Sequence, residues 1–406
     1  MGKLKYIDLF SGCGGLSLGL HQAGWDGVFA IEKNKDAFKT LHYNLIKNKK
    51  HFNWPEWLPV KEHDVNSIIE TYSDELVKLR GTINLIAGGP PCQGFSMAGR
   101  RDESDERNNL INSYIKFVEL VKPDLIFFEN VKGFTIEFKK NQEKGIAYSK
   151  LVLNSLDNLG YYVQGKLINF AEFGVPQKRT RFILIGVKKE LKKSSQEFVN
   201  NFFSELENNK FSFLKSKKIN LKNSVEDAIS DLLQINGQIE CPDSPGFKSS
   251  PYIEAISKYQ KYLRKYNKFV IPNSHRFAKH QKTTISKFKN ILELTENRRN
   301  YDISNDIRLH YNIKKHTIIP LSKDDRSPTI TTLPDDYIHY CEPRILTVRE
   351  YARLQSFPDW YTFQGKYTTG GKLRKYEVPR YSQIGNAIPP LFAEQAGEIL
   401  KLMLHG

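Results

Sequence analysis

Four short clusters hold the residue types that could do chemistry. The first is Phe10-Ser11-Gly12-Cys13-Gly14-Gly15. Glycines let a backbone approach a ligand closely, and a helix beginning there favours anionic groups at its N-terminus. The full dinucleotide glycine spacing is absent, so the turn points to a nucleoside-containing cofactor of unspecified type. Glu32 could take a ribose diol with its two oxygens. The second cluster is Gly88-Gly89-Pro90-Pro91-Cys92-Gln93-Gly94-Phe95-Ser96. Two prolines stiffen the backbone before a cysteine, and Arg100 and Arg101 follow; a thiolate beside cations is a competent nucleophile. A lone cysteine is more often an inert buried hydrophobe; this one is placed on a loop at a strand end. The third is Glu129-Asn130-Val131. A carboxylate ending an apolar strand is costly unless paired or used. It reads either as a cap or salt bridge, or as an acid beside the nucleophile, raised in pKa enough to donate a proton. The fourth is Gln177-Lys178-Arg179-Thr180-Arg181. Arg179 and Arg181 alternate, so on one strand both face the same side, as a solvated edge or as two guanidinium forks for an anion or a base edge.

The elements that must position these clusters follow from periodicity. Apolar strands are expected at 4–10, 28–31, 82–87, 124–128 and 181–187. Between them, Leu16 to Ala23, Asp36 to His42 and Tyr114 to Val121 have helical spacing, the first stopping at Gly24. Strands alternating with helices imply a parallel sheet covered on both faces, which binds ligands at the carboxyl ends of its strands. Gly12, Glu32, Gly88 and Glu129 all fall at such ends. Helical spacing returns from Leu391 to Leu404.

At 406 residues the chain can bury a core without staples, and its formal net charge is +16. That excess points to a polyanion such as nucleic acid, although a bias toward Lys, Asn and Ile could also produce it. Residues 201–300 hold 14 Lys and 4 Arg against 10 acids, a net of +8. The expected division is therefore a cofactor-binding catalytic domain, 1–189 completed by 384–406, and a smaller irregular domain, 190–383. Four scattered cysteines, Cys13, Cys92, Cys241 and Cys341, form no Cys-x-x-Cys pair and suit reduced thiols. There is no apolar run of membrane-spanning length and no apolar signal core at the start, so a cytoplasmic protein is expected. His275 and His280 lack further spaced ligands; they read as surface residues, and no metal is expected.

Taken together the clusters resemble the bacterial DNA (cytosine-5) methyltransferases. The resemblance rests on Asp8-Leu9-Phe10-Ser11-Gly12-Cys13-Gly14-Gly15, Pro90-Pro91-Cys92-Gln93-Gly94-Phe95-Ser96, Glu129-Asn130-Val131, and Gly174-Val175-Pro176-Gln177-Lys178-Arg179-Thr180-Arg181. It continues through Arg349-Glu350-Tyr351-Ala352-Arg353-Leu354-Gln355-Ser356-Phe357-Pro358 and Gln383-Ile384-Gly385-Asn386-Ala387. It covers 1–190 and 345–400; the basic middle matches no motif, as is usual for the family's target-recognition region. The resemblance implies an α/β, Rossmann-like S-adenosylmethionine-dependent methyltransferase sheet with a smaller target-recognition domain. Cys92 would attack carbon 6 of cytosine, Glu129 would hold or protonate N3, Arg181 would bind the base carbonyl, and Arg179 would support the charge near Cys92. Phe10 would lie on the adenine and Glu32 on the ribose, with Gly12, Cys13 and Gly15 forming the turn. Asp64 and Val65, after a strand near Val60, would take the adenine edge. Pro91, Leu110, Asn386 and Ala387 would close the pocket; the family often has Ser where this chain has Ala387.

The target carbon lies inside the duplex, so the base must be flipped out. Gln93, Ser96, Arg100 and Arg101 are expected to meet DNA, on a loop from Ser96 to Asn109 that could close over the base. The small domain would read base edges in the major groove while its lysines hold phosphates. The expected partners are double-stranded DNA and a cognate restriction endonuclease encoded nearby, for a monomer associated with the nucleoid. A tRNA cytosine-5 methyltransferase would share most motifs, but the Gly94-Phe95-Ser96 ending and the basic insertion stand against it. An amino-group methyltransferase would want Asp-Pro-Pro or Asn-Pro-Pro, which the chain lacks. An inactive DNA-binding protein on this fold would be expected to have lost Cys92, Glu129 or the turn.

Overall fold

The computed structural model describes residues 3–91, 109–370 and 373–405, apart from 137–138, 141–142, 145–146 and 374–375. The described residues form two compact units. Unit 1 comprises 1–169, 180–210 and 392–406; unit 2 comprises 170–179 and 211–391. Compactness thus draws its borders at other positions than composition and motif do.

Unit 1 is built on a six-stranded sheet. Its strands are β1 (Lys5–Leu9), β2 (Asp26–Ile31), β3 (Leu85–Gly88), β4 (Leu125–Val131), β5 (Tyr161–Asn169) and β6 (Thr180–Lys188). The order is β2-β1-β3-β4-β6-β5. The first four strands run parallel, with Leu9 opposite Ile31 and Gly88, and Gly88 opposite Phe128. The expectation of a wholly parallel sheet is corrected at β6, which runs antiparallel to both β4 and β5. A parallel neighbour needs a crossover of a dozen residues or more, and only 170–179 separate β5 from β6. β5 escaped the periodicity reading because its middle, Gln164-Gly165-Lys166, is polar and only partly buried.

The helices before β5 are α1 (Gly15–Gln22), α2 (Lys35–Leu41), α3 (Val65–Thr71), α4 (Ser73–Lys78), α5 (Asn109–Val121) and α6 (Tyr148–Asn158). A π-helical segment, His42–Asn48, prolongs α2. Tyr114, Phe117, Val118 and Val121 of α5 are fully buried in one core with Ile7, Phe29, Ile86, Ile126 and Phe128. Burying each such side chain is worth about 1.5–3 kcal/mol. No strand forms near Val60, a further correction. That segment keeps one bridge, Gly27 to Phe52, because Pro55 and Pro59 have no N–H for a ladder. His63 N–H instead donates to the Glu32 carbonyl at 2.8 Å. The final helix, Pro390–His405, returns its later residues to unit 1, where the Trp25 indole N–H donates to the Gly397 carbonyl at 2.9 Å.

Unit 2 has short helices and, among the described residues, only two-residue strand pairs. Polar groups buried in pairs organise it. Helix Val348–Leu354 is buried along its whole length and begins with a Thr347–Glu350 capping box. Arg353 binds both Asp231 and Asp359, and Arg344 is bidentate on Glu350 at 2.7 and 2.8 Å. The Arg349 to Pro358 motif is therefore framework in this unit. His275 is no surface residue: it is fully buried, 3.0 Å from Ser250 Oγ and 2.9 Å from Thr347 Oγ1. His280 accepts the Ile345 N–H at 3.3 Å.

Removing one partner of a buried pair strands the other charge. Arg353→Leu leaves Asp231 and Asp359 without their shared cation, and urea unfolding is expected to show a loss of about 3–5 kcal/mol. A loss below about 1 kcal/mol, the scale of an exposed pair, would contradict this account of unit 2.

Candidate active site

The carboxyl ends of β1, β2, β3 and β4 carry several of the expected site residues of unit 1. After β1, Phe10 and Gly12 both take positive φ, 58° and 55°. Gly12 has open space where a Cβ would lie, so the turn leaves room for a ligand beside its backbone. Gly14 N–H donates to the Ser11 carbonyl at 2.9 Å and Gly15 opens α1. Cys13 is buried, which pushes its thiol far above the ordinary range. It is a wall of the turn and no nucleophile.

Glu32, just past β2, is locked to that turn. Its Oε2 accepts the Gly12 N–H at 2.9 Å and its Oε1 the Asn34 N–H at 2.6 Å. Burial raises its pKa while these donors pull it down. Each carboxylate oxygen keeps a second lone pair, so a diol can still be met. Asn34 in turn caps α2, accepting from Asp36 and Ala37. Asp64 caps α3 and pairs with Lys33 at 2.7 Å. Burial raises its pKa, but Lys33 and the capping N–H groups outweigh that and hold it below the usual value. Val65 is buried behind it, and Phe10 and Leu110 pack against the same core.

The end of β4 faces the end of β3. Glu129 Oε1 pairs with Arg181 Nε at 3.0 Å, both side chains being largely buried. Burial lowers the Arg181 pKa and Glu129 opposes the shift. Antiparallel pairing sets Glu129 opposite Ile183 and Val131 opposite Arg181, so the pair is a diagonal contact on one face. Gly89 lies under the carboxylate: a Cβ there would stand 2.7 Å from Glu129 Oε2. Asn130 Nδ2 donates to the Pro90 carbonyl at 3.2 Å. It thereby fixes the Pro90-Pro91 segment that leads into Cys92. Cys92, Gln93, Ser96, Arg100 and Arg101 lie outside the described residues.

Arg179 corrects the idea that two arginines face one side of one strand. Only Arg181 belongs to β6. Arg179 precedes it, is buried within unit 2, and donates to the carbonyls of Gly385 at 2.7 Å and Ile330 at 3.4 Å. Gln355 Nε2 donates to the Ile384 and Ala387 carbonyls at 2.9 and 3.0 Å, and Gln177 Nε2 to Gln355 Oε1 at 2.7 Å. Three of the sequence motifs thus interlock around Asn386 and Ala387.

Two features had no sequence reading. Asn130 was only part of a motif, and its grip on Pro90 needs the fold. Asp8 is buried under the turn, where its Oδ2 accepts from Ser17 Oγ at 2.5 Å while Oδ1 has no hydrogen-bond partner among the described residues. Burial raises Asp8 to about 7, against the pull of Ser17. Among the described residues no group of three or more His, Cys, Asp or Glu could hold a metal, and no helix is long and apolar enough to cross a membrane.

A sheet of this order, with a glycine turn, a carboxylate at the end of β2 and a paired Glu–Arg at the strand ends, has the fold of S-adenosylmethionine-dependent methyltransferases. The sequence profile of the C-5 cytosine-specific DNA methylases matches residues 4–401, so the chain belongs to that family. It is a DNA (cytosine-5) methyltransferase. It is 31% identical to the Type II methyltransferase M.DdeI of Desulfomicrobium norvegicum, over 97% of this chain and 88% of that one. It is also 31% identical to the Type II methyltransferase M.XorII of Xanthomonas oryzae, over 98% and 84%. Among solved structures, a prophage-encoded E. coli protein described as a DNA modification methyltransferase superposes with a TM-score of 0.69 at 24% identity, covering both chains fully. That last likeness shows the fold.

Two outcomes follow. Gly89→Ala drives a methyl into Glu129 and is expected to cut the methyl-transfer rate about 100-fold, the order of a 1 Å misplacement; an unchanged rate would show that the carboxylate's position is immaterial. Asp8 has a raised folded pKa, so its unfolded form loses the proton first. Stability falls as pH rises from about 4 to about 7. In Asp8→Asn this fall, a few kcal/mol at most, should vanish from urea midpoints measured across that range, and an unaltered pH profile would refute it.

Proposed function

We propose that the chain methylates carbon 5 of a flipped-out cytosine within a specific duplex sequence by covalent catalysis through Cys92. The observation that carries this reading is the Glu129–Arg181 pair seated over Gly89, with Asn130 gripping Pro90 two residues before the thiol. Cytosine carbon 5 is a poor nucleophile, and a thiolate adding at carbon 6 remedies that. Glu129 meets N3 of the ring and shares a proton with it as electrons move there. Arg181 keeps Glu129 in place and donates to the base carbonyl oxygen. Loss of the carbon 5 proton and departure of Cys92 then restore the aromatic ring. Arg179 acts by holding Gly385, and so the run into Asn386 and Ala387.

The turn fits S-adenosylmethionine by its open Gly12 face and its anchored carboxylate. When bound, S-adenosylmethionine supplies the electrophilic methyl that carbon 5 accepts. Phe10, Gly12, Cys13 and Gly15 form its cradle. Glu32 takes the ribose, Asp64 and Val65 the adenine edge, and Pro91 and Leu110 line the rest of the cradle. No metal takes part. Gln93, Ser96, Arg100 and Arg101 meet DNA around the flipped base, and unit 2 reads the flanking sequence. The Type II relatives support a place beside a restriction endonuclease encoded nearby, with the protein acting as a monomer on nucleoid DNA in the cytoplasm.

Labelled S-adenosylmethionine and mixed-sequence genomic DNA test this, with modified positions mapped by bisulfite sequencing. Wild type is expected to label cytosine carbon 5 in one short context, and Cys92→Ala to give no label. Label in the Cys92→Ala variant would end the covalent reading, and transfer to tRNA alone would replace DNA as the substrate.

A further inference from the structure

In unit 2 a hairpin pairs Ile239–Glu240 with Lys248–Ser249, and beside it stands a cation with no part in the chemistry above. Arg276 lies between two aromatic rings. Its guanidinium carbon is 4.2 Å from the Phe247 centroid and 3.9 Å from that of Tyr367. Phe247 belongs to the hairpin loop; Tyr367 is buried and donates to Asp243 Oδ1 at 2.7 Å. The backbone next to Arg276 is tied to the same hairpin, since the Phe277 N–H donates to the Lys248 carbonyl at 2.9 Å. Arg276 Nη1 donates to Ser244 Oγ at 3.3 Å. Two rings thus fix the plane of this guanidinium and one hydrogen bond fixes its rotation.

A guanidinium carries its N–H donors in a rigid planar fork. With Nη1 turned to Ser244, Nε and Nη2 form a second edge. Neither of these two nitrogens is buried, and neither has a hydrogen-bond partner among the described residues. The carboxylates of the hairpin are already matched. Asp243 pairs with Arg380, and Glu240 accepts the Gly246 N–H at 2.6 Å and meets Lys248 at 3.4 Å. The exposed Lys279 lies 4.7 Å from the Phe247 centroid, so a second cation stands against the same ring. Like charges held this close favour an anion beside them. Residues 255–292, which include both cations, hold 8 Lys and 2 Arg and no acid.

We infer that Arg276 is a phosphate-binding residue of unit 2, its Nε and Nη2 donating to two oxygens of one backbone phosphate of the DNA duplex, with Lys279 as the supporting cation. The planar fork matches a phosphate bidentately, which a point charge cannot do. Arg276 and Lys279 both offer donors alone. A base pair presents donors as well as acceptors in the major groove, whereas phosphate oxygens only accept. Locking the guanidinium between rings before binding removes the ordering cost that a free arginine incurs at that moment. The inference rests on the reading that unit 2 meets duplex DNA. It adds a contact that is indifferent to sequence and names the side chain that makes it.

The test is duplex binding by the full chain with S-adenosylhomocysteine, followed by fluorescence anisotropy over a series of salt concentrations. Wild type is compared with Arg276→Gln, Arg276→Lys and Lys279→Ala. Each phosphate contact adds about 0.9 to the slope of log affinity against log salt. Arg276→Gln is expected to bind roughly 10-fold more weakly and to lower that slope by about 1, alike for duplexes of different sequence. Arg276→Lys keeps the charge without the fork, so the slope should hold while affinity falls by less. Lys279→Ala should lower the slope with a smaller loss of affinity. A loss in Arg276→Gln with the slope intact would make Arg276 a support of the hairpin, and a loss confined to one sequence would make it a base reader; either overturns the inference. So does binding of inorganic phosphate that depends on Arg276 while duplex binding is alike in all variants, the mark of a site for the free anion. If wild type binds no duplex, the reading of unit 2 falls together with the inference; if wild type binds and the variants match it, the inference falls alone.

Discussion

A carboxylate at the end of an otherwise apolar strand needs a counter-charge, and the sheet of unit 1 is arranged so that Glu129 has one. Arg181 reaches it because β6 runs against β4 and the register sets Ile183, with Arg181 two residues away, opposite Glu129. Had β6 been parallel, the crossover would have delivered a different residue to that corner. The same corner fixes what lies beneath it. A side chain at position 89 would press on Glu129 Oε2 at 2.7 Å, and the backbone that follows is tied to Asn130. One electrostatic requirement therefore bears on a strand direction, a glycine and the path of the Pro90-Pro91 segment.

The parts of this arrangement legible in the sequence are those with a local cause. The glycine turn, the apolar β3 and β4, and the carboxylates at strand ends are matters of periodicity and residue type, and the structure has them at the carboxyl ends of the strands. What escaped depends on partners distant in sequence. β5 is an edge strand with a polar middle, so alternation does not mark it. The segment near Val60 has the length for a strand but also two prolines. Arg179 and Arg181 are two positions apart, yet the chain passes from one compact unit to the other between them, and each guanidinium finds different acceptors.

Unit 2 shows a different economy of forces. Its strands are too short to organise a sheet, and its helices are mostly brief. Uniqueness comes from buried ion pairs, Arg353 with Asp231 and Asp359, and Arg344 with Glu350. Each is costly to desolvate and rigid once formed. This explains why a motif rich in Arg and Glu has its charges buried rather than on the surface, and why His275 sits inside.

The closing helix has a consequence for how the protein is made. Trp25 is bound to Gly397, 372 residues further along, and Lys401 Nζ donates to the Ala23 carbonyl. On a ribosome adding about 5–20 residues per second, the first helix of the chain waits roughly 20–75 s for the residues that cover it. Unit 2 can emerge in full during that interval. Synthesis therefore delivers all of unit 2 before Trp25 and Ala23 can meet the residues that bond them.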